Sequence, residues 1–452
     1  MRLGTWAGGI ARELRPTLTL AGPVVLAELG WMAMGVVDTL IVGRLGPVAI
    51  GAVGLGGMAF FAPIVFGMGL LLGLDTLVSQ AFGAGDLDGA RRSLAQGVIL
   101  AFALTPPLML VVLAMAPGLA ALGVDQAVLT LARPYLAATV WGTLPLLVYA
   151  AFRRYLQAVG RVGPVVFALL SGNGVNAVGN WALVYGHLGL PALGVEGSGW
   201  ATTVSRLYMA GVLVAAAWWH DRRHGVPGGP DWSRWRPDPA RLRRLLALGL
   251  PAAAHVTLEV GVFAAATALA GRLDPASLAA HQVVLNVSSV TFMIPLGLAS
   301  AGAVRVGQAI GRGDCPAAAR AGWSTLALGI TFMAVSGLTF ILVPRTIVAA
   351  FTDDRRVIAL GVPLLYLAAA FQLSDGVQGV TTGNLRGAGD TYTPMRAHAL
   401  AHWVIGLPLG YVLAFRAGLG VIGLWAGLAL GLTVAAVLLL AAWVHKASEL
   451  AG

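Results

Sequence analysis

Pro23-Val-Val-Leu-Ala-Glu28-Leu-Gly-Trp31-Met-Ala-Met-Gly-Val-Val-Asp38-Thr-Leu-Ile-Val-Gly-Arg44-Leu-Gly46 is long enough to cross a bilayer as one helix, and it carries two carboxylates among apolar residues. A spanning helix needs about 20 predominantly apolar residues. An ionised carboxylate at the centre of the hydrocarbon costs about 2.5–3.5 kcal/mol on insertion scales. A protein tolerates such a group only where it faces a polar cavity or meets a cation. Asp38 is therefore a candidate functional residue.

Composition sets the surroundings of that helix. Hydrophobic side chains make up 58% of the 452 residues and charged ones only 11%, whereas soluble domains carry about 25% charged residues. The 61 glycines suit close helix packing in lipid. The fold class expected is an all-α polytopic membrane protein. Met1 to Arg15 hold Arg2, Arg12 and Arg15 but no apolar core of the length a cleavable signal peptide requires. The single Cys315 excludes an internal disulfide and carries no metal-ligand spacing. The net charge of +10 arises from arginines at the ends of apolar segments, where they act as topology determinants. No nucleic-acid partner is expected.

Apolar runs of spanning length recur twelve times, near 17–42, 49–82, 93–115, 128–151, 163–186, 195–219, 245–271, 278–310, 320–343, 357–381, 397–416 and 419–445. Loop-like breaks fall at Gly83-Ala-Gly-Asp86-Leu-Asp88, Gly311-Arg-Gly-Asp314 and Asp353-Asp354-Arg-Arg356. The second and eighth runs exceed what a bilayer requires and are expected to tilt or extend into water. The longest polar interruption, His220 to Arg244, carries Pro227, Pro230, Pro237 and Pro239 together with Trp232 and Trp235. It divides the chain into an N-lobe at 1–219, a cytoplasmic linker at 220–244 and a C-lobe at 245–452. With the N-terminus inside, basic residues such as Arg91, Arg92, Arg153, Arg154, Arg243, Arg244 and Lys446 outnumber those on the opposite side about threefold. That bias predicts a multi-pass protein of the cell membrane with both termini cytoplasmic. Arg206 alone stays within a span.

The two halves repeat at a shift of 228 residues (251 − 23). Pro23 matches Pro251, Gly43-Arg44-Leu45 matches Gly271-Arg272-Leu273, and Pro47 matches Pro275. Gly69 matches Gly297, Gln80-Ala81 matches Gln308-Ala309, and Gly83, Gly85 and Asp86 match Gly311, Gly313 and Asp314 without a gap. A weaker echo one residue further on pairs Pro134 with Pro363, Leu156 with Leu385 and Gly160 with Gly389. Each repeat holds six spans, so both enter the membrane the same way, as parallel transporter repeats do. Two such lobes around a central cavity have the expected geometry of a secondary transporter, working as a monomer.

Several motifs then carry a family likeness. Val37-Asp38-Thr39, Gly43-Arg-Leu-Gly46 and Gly73-Leu-Asp75-Thr-Leu-Val-Ser-Gln80-Ala-Phe-Gly-Ala-Gly85 resemble the multidrug and toxin extrusion (MATE) family. So do Asn176-Ala-Val-Gly-Asn180-Trp181, Gly194-Val-Glu-Gly-Ser-Gly-Trp-Ala-Thr202, Leu258-Glu259-Val260 and Gln372-Leu-Ser-Asp375-Gly-Val-Gln378. The resemblance covers nearly the whole chain. It implies twelve helices in two lobes, no cofactor, and export of mostly cationic organic compounds in exchange for H⁺ or Na⁺. Acids in the seventh and tenth spans resemble the NorM-type and eukaryotic-like branches more than the DinF-type branch. One position departs: where NorM-type members often carry a tyrosine one turn before the tenth-span acid, this chain has Phe371.

Glu28, Asp38, Asp75, Glu259 and Asp375 lie within the expected spans. An exchanger needs a group satisfied in turn by the coupling ion and by a cationic substrate, and a carboxylate in an apolar setting suits this. With Asn176, Asn180 and Thr202, Asp38 offers an all-oxygen set of the kind that hard cations such as Na⁺ favour. Asn176 and Asn180 share one helix face at i, i+4. The resemblance assigns this cluster to the N-lobe cation or proton site, and Glu259 with Asp375 to C-lobe cation or substrate binding. Glu28, Trp31, Phe371 and His255 are candidate cavity residues. His255 and His281 can each relay protons or bond neighbouring helices. Asp75 reads as a cap, or as a gate partner for Arg91 or Arg92. A lipid-linked oligosaccharide flippase of the same superfamily is the alternative, but it calls for a basic cavity. An intramembrane enzyme is disfavoured because no Gly-x-Ser-x-Gly, His-Glu-x-x-His or acid pair with a ligand histidine occurs in a span. The residues leave the choice between H⁺ and Na⁺ open, with a lean to H⁺.

Overall fold

A computed structural model describes residues 3–121, 125–223 and 235–451. Every regular element among them is a helix. The first half comprises α1 (Leu3–Val42), α2 (Pro47–Leu70), α3 (Gly73–Gly83), α4 (Leu87–Ala121), α5 (Gln126–Thr139), α6 (Thr143–Ala158), α7 (Gly163–Tyr185) and α8 (Val195–Arg223). The second comprises α9 (Pro239–Ala270), α10 (Pro275–Gly311), α11 (Cys315–Leu342), α12 (Pro344–Ala349), α13 (Arg355–Gly387), α14 (Tyr392–His398), α15 (Leu407–Tyr411) and α16 (Gly420–Ala451). Two π-helical stretches, Ala399–Gly406 and Val412–Arg416, flank α15.

Eleven stretches are long and apolar enough to cross a membrane. The remaining expected span is α7. At 23 residues it reaches about 35 Å at 1.5 Å per residue, against a hydrocarbon core of about 30 Å. Asn173, Asn176 and Asn180 lower its hydropathy. Several helices begin where Pro or Asp can start them. Asp125 accepts the Ala127 amide at 2.7 Å, Asp314 the Ala317 amide at 3.0 Å and Asp354 the Arg356 amide at 2.7 Å; each side chain satisfies an amide that the helix leaves unpaired. Asp314 and Asp354, which fall in two of the loop-like breaks, are thus helix caps. Several helices run past their expected ends, and α6 continues through Arg153 and Arg154 to Ala158. Those two arginines therefore belong to a helix rather than to a loop, because acids inside the fold meet them.

The repeat is visible in the backbone. Gly85 and Gly313, matched at the 228 shift, both take left-handed φ values, +78° and +75°. At each, the amide of the next residue turns back on a carbonyl five positions earlier, Asp86 to Ala81 at 2.9 Å and Asp314 to Ala309 at 3.0 Å. Glycine reaches this helix-ending conformation without the steric penalty of a Cβ. Gly160 and Gly389 behave alike.

By contact, the chain divides into Leu26–Ala253 and a second unit made of Met1–Val25 with Ala254–Gly452. The two borders, after Val25 and after Ala253, are themselves related by the repeat (253 − 25 = 228) and lie within α1 and α9, two residues past Pro23 and Pro251. The lobes expected at 1–219 and 245–452 follow the repeat in sequence, whereas the contacts divide inside these two helices rather than in the linker. Residues 224–234 of that linker, including Trp232 and Arg234, lie outside the described residues. Trp218, Trp219 and Trp235 at its flanks are exposed.

The matched glycines Gly69 and Gly297 leave room for these two helices. Within Leu26–Ala253, a Cβ on Gly69 would lie 2.5 Å from the Ala253 Cα. Within the other unit, one on Gly297 would lie 3.0 Å from the Val25 Cα. Each glycine thus admits the backbone of the first helix of the opposite repeat. Gly69→Leu and Gly297→Leu should each lower the melting temperature of the detergent-solubilised protein, since overpacking costs about 1–3 kcal/mol or more. Gly54→Leu, where a Cβ meets nothing within 4 Å, should leave it nearly unchanged. Equal effects at all three positions would contradict the close approach.

Candidate functional site

Within Leu26–Ala253 the four residues singled out around Asp38 come together. Asp38 stands on α1, Asn176 and Asn180 on one face of α7, and Thr202 on α8; all four are buried. Asn180 Nδ2 donates to Asp38 Oδ1 at 2.7 Å and to the Asn176 carbonyl at 3.0 Å. Both partners are acceptors, so the amide must present its NH₂ there and turn its oxygen away. The Thr202 hydroxyl lies 3.1 Å from Asp38 Oδ2 and 3.0 Å from the Ser198 carbonyl. It holds one proton for two acceptors. Asn176 Nδ2 reaches the Thr202 Oγ1 at 3.5 Å. In this arrangement Asp38 faces donors, while Asn176 Oδ1 and Asn180 Oδ1 have no hydrogen-bond partner. The two donors are Asn180 Nδ2 and the Thr202 hydroxyl, and the Asn176 carbonyl orients Asn180. Asn173 donating to the Gly30 carbonyl at 3.0 Å and the Tyr185 hydroxyl donating to the Ile41 carbonyl at 2.5 Å tie α7 to α1 along its length.

Arg206 follows Thr202 by one turn of α8. It is buried, and its guanidinium lies 4.2 Å from the centroid of the Phe60 ring. Its charge acts on Asp38, and its Nε and Nη1 atoms have no hydrogen-bond partner. Sequence reading left this arginine without a role, although Thr202 and Arg206 at i, i+4 face the same way.

Glu28 and Asp75 are answered by consecutive arginines of α6. Arg153 donates to Glu28 Oε1 in a buried ion pair, and Arg154 Nη1 lies 3.4 Å from Asp75 Oδ2. Arg91 meets Asp221 at 3.0 Å and Arg92 meets Asp88 at 2.7 Å. Trp31 stacks on Tyr149 with ring centroids 6.3 Å apart. The candidate cavity residues Glu28 and Trp31 thus sit in one packed cluster with Tyr149 and Arg153.

In the other unit, Gln378 joins the second pair of acids. Its Nε2 lies 3.1 Å from Glu259 Oε1 and 3.2 Å from Asp375 Oδ1. Its Oε1 lies 2.5 Å from the Nε2 of His398, which is itself 3.3 Å from the Nε2 of His255. His255 Nε2 is 3.5 Å from Glu259 Oε2. Phe371 is buried and stacks on Trp425 at 5.9 Å between ring centroids. The Trp425 indole donates to His281 Nδ1 at 3.0 Å, so His281 Nε2 carries the proton facing Thr267 Oγ1 at 2.9 Å. His281 bonds three helices, and both of its ring nitrogens are engaged in this arrangement. Gln378 was read only as part of a family-like motif, and His398 and His402 escaped the sequence reading. The i, i+4 spacing of His255 with Glu259 and of His398 with His402 was the available signal.

Residues 23–182 and 251–412 match the sequence model of the MatE family. The chain belongs to the MATE family. The two matches begin 228 residues apart (251 − 23), at the repeat shift. Probable multidrug resistance protein NorM of Mesorhizobium japonicum is 39% identical over 444 residues, covering 96% of this chain and 94% of that protein. Multidrug resistance protein NorM of Burkholderia vietnamiensis is 38% identical over 451 residues, covering 96% and 94%. The crystal structure of the eukaryotic MATE transporter AtDTX14 superposes with a TM-score of 0.86 at 22% identity, covering 98% of this chain and 99% of that one. A MOP superfamily transporter from Pyrococcus furiosus, described for the reverse polarity of its binding pocket, superposes with a TM-score of 0.87 at 19% identity, covering 97% of each chain. These likenesses establish the two-lobed, twelve-span all-α fold. The MATE family comprises transporters, not enzymes.

The Glu28–Arg153 pair gives a direct test of which acids are structural. Removing one partner of a buried pair costs about 3–5 kcal/mol, so Glu28→Gln and Arg153→Met should each lower the melting temperature in detergent. The double variant should regain most of the loss. Equal losses in all three variants would contradict the pairing.

Proposed function

We propose that this MATE protein is a multidrug efflux transporter that exports organic cations from the cytoplasm by alternating access, in exchange for H⁺ carried on Asp38. Both termini are placed in the cytoplasm, as the bias of basic residues argues. The efflux role is supported by NorM-named relatives at 38–39% identity over nearly the full chain.

The observation that carries the choice of ion is the single Thr202 hydroxyl shared between Asp38 and Ser198. With Asp38 ionised, Asn180 and Thr202 both donate to it. When a proton binds at Oδ2, the new O–H donates to Thr202 Oγ1, and the Thr202 hydroxyl turns to the Ser198 carbonyl. Both protonation states then keep their hydrogen bonds, and neither leaves a buried donor unsatisfied, which would cost about 1–3 kcal/mol. Arg206 adds a fixed positive charge that favours the ionised state when no proton is bound. A cationic substrate and a proton compete for the same negative charge, and that competition couples the fluxes. Glu259 and Asp375, joined by Gln378, supply negative charge for the substrate in the other unit.

Na⁺ is the second reading, because Asn176 Oδ1, Asn180 Oδ1 and Ser198 Oγ have no hydrogen-bond partner and are oxygens that a hard cation takes. Uptake of a fluorescent cation into proteoliposomes, with pH and Na⁺ gradients imposed separately, distinguishes the two. The pH gradient should drive uptake and the Na⁺ gradient should not. Asp38→Asn should abolish pH-driven uptake, and Thr202→Val should slow it about tenfold, as loss of a hydrogen bond to a charged group predicts. Uptake driven by Na⁺ alone would overturn the choice of ion, and undiminished exchange in Asp38→Asn would overturn the site.

A further inference from the structure

We propose that His255, Glu259 and His398 form a binding site for a divalent transition-metal ion of the Zn²⁺ class. Three observations carry this. The first is ligand geometry. His255 Nε2 and His398 Nε2 are 3.3 Å apart, His255 Nε2 and Glu259 Oε2 are 3.5 Å apart, and the three ligand atoms all lie within 4.8 Å of one another. Ligands about 2.0–2.1 Å from a tetrahedral zinc ion stand about 3.3 Å from each other. The arrangement needs only small shifts to close on such an ion.

The second observation is the proton arrangement. His398 Nδ1 lies 2.8 Å from the Pro394 carbonyl. A carbonyl only accepts, so Nδ1 carries the proton, and in the neutral ring Nε2 presents a lone pair. This is the outer hydrogen bond that holds a metal-binding imidazole in its tautomer. Gln378 Oε1 also points at that Nε2, because its NH₂ is engaged by the two carboxylates. With the ring neutral, the His398 lone pair, the Gln378 oxygen and a Glu259 oxygen converge, an arrangement that a bound metal ion satisfies.

The third is the backbone that carries the histidines. His255 and Glu259 share a face of α9 at i, i+4. His398 ends α14, where the chain widens into the π-helical stretch Ala399–Gly406 that carries His402. Such π turns inside helices occur frequently at functional sites. His402 is buried, its ring centroid is 5.4 Å from that of His398, and neither of its nitrogens has a hydrogen-bond partner. His255 and His398 are buried, while Glu259 keeps 17% of its side chain open, which leaves an approach for an ion. Imidazole nitrogen selects Zn²⁺, Co²⁺, Ni²⁺ or Cu²⁺ over Na⁺, Mg²⁺ or Ca²⁺.

The test is titration of the chelator-stripped, full-length protein in detergent with Co²⁺ and Zn²⁺, which requires no transport assay. The expected result is one Co²⁺ per chain with the strong visible absorption of a tetrahedral site, displaced by Zn²⁺, and a melting temperature raised by Zn²⁺ but not by Mg²⁺. His255→Ala and His398→Ala should each weaken binding about 100-fold or more. Glu259→Gln, which keeps the side chain's shape, should weaken it by at least tenfold, and it preserves the test if a histidine variant fails to fold. His445→Ala, at an exposed position of α16, should bind as the parent does. Absence of Co²⁺ binding, or binding equally strong in the His255, His398 and Glu259 variants, would overturn the site. The cluster would then hold protons rather than a metal.

Discussion

A carboxylate inside hydrocarbon must be answered by other polar groups, and much of the architecture follows from how each one is answered. Glu28 and Asp75 meet the consecutive arginines Arg153 and Arg154. Such buried pairs are strongly destabilising to break, because the survivor keeps its charge without a partner. Asp38 is answered differently. Its direct hydrogen-bond donors are neutral, an amide and a hydroxyl, and its nearby cation, Arg206, lies over an aromatic ring. A carboxylate held by neutral donors can exchange its charge for a proton, whereas one locked to an arginine cannot do so without leaving that arginine unpaired. This contrast separates the acids that hold the fold from the acid assigned to exchange.

The internal repeat supplies the scaffold on which the two halves diverge. Paired glycines end helices in the same left-handed conformation, and Gly69 and Gly297 each admit the first helix of the opposite half. The charged groups do not follow the repeat. Ala266, the residue matched to Asp38 at the 228 shift, is fully buried and apolar, and the acid of α9 stands seven residues earlier at Glu259. Gln378 then links Glu259 to Asp375 and to a histidine group, whereas the hydrogen bonds to Asp38 among the described residues come from an amide and a hydroxyl. One backbone plan thus carries two polar sites of different chemistry.

The spans and the repeat were legible in the sequence because each rests on periodicity, and the cluster of Asp38, Asn176, Asn180 and Thr202 because its motifs resemble those of the MATE family. Apolar length marks a span, a fixed shift marks a repeat, and i, i+4 spacing puts Asn176 and Asn180 on one face. Partners brought together across helices outside those motifs were not legible. Nothing local to Glu28 announces Arg153, which lies 125 residues away in sequence. An arginine at the end of an apolar run also reads first as a topology determinant. The orientation of Asn180 was hidden for a related reason: a backbone carbonyl one turn earlier decides it, and side-chain chemistry alone presents oxygen and nitrogen equally. His398 and His402 sit in a run whose π-helical widening leaves no mark on hydropathy.

Whether substrate binding expels a proton from Asp38 is decided most directly by calorimetry. Binding of an organic cation to the detergent-solubilised protein is measured near neutral pH in buffers of different ionisation enthalpy, so that the number of protons released per bound cation is read out. The account predicts release of about one proton by the parent protein and close to none by Asp38→Asn. Equal release by both proteins, or no release by the parent, would contradict it.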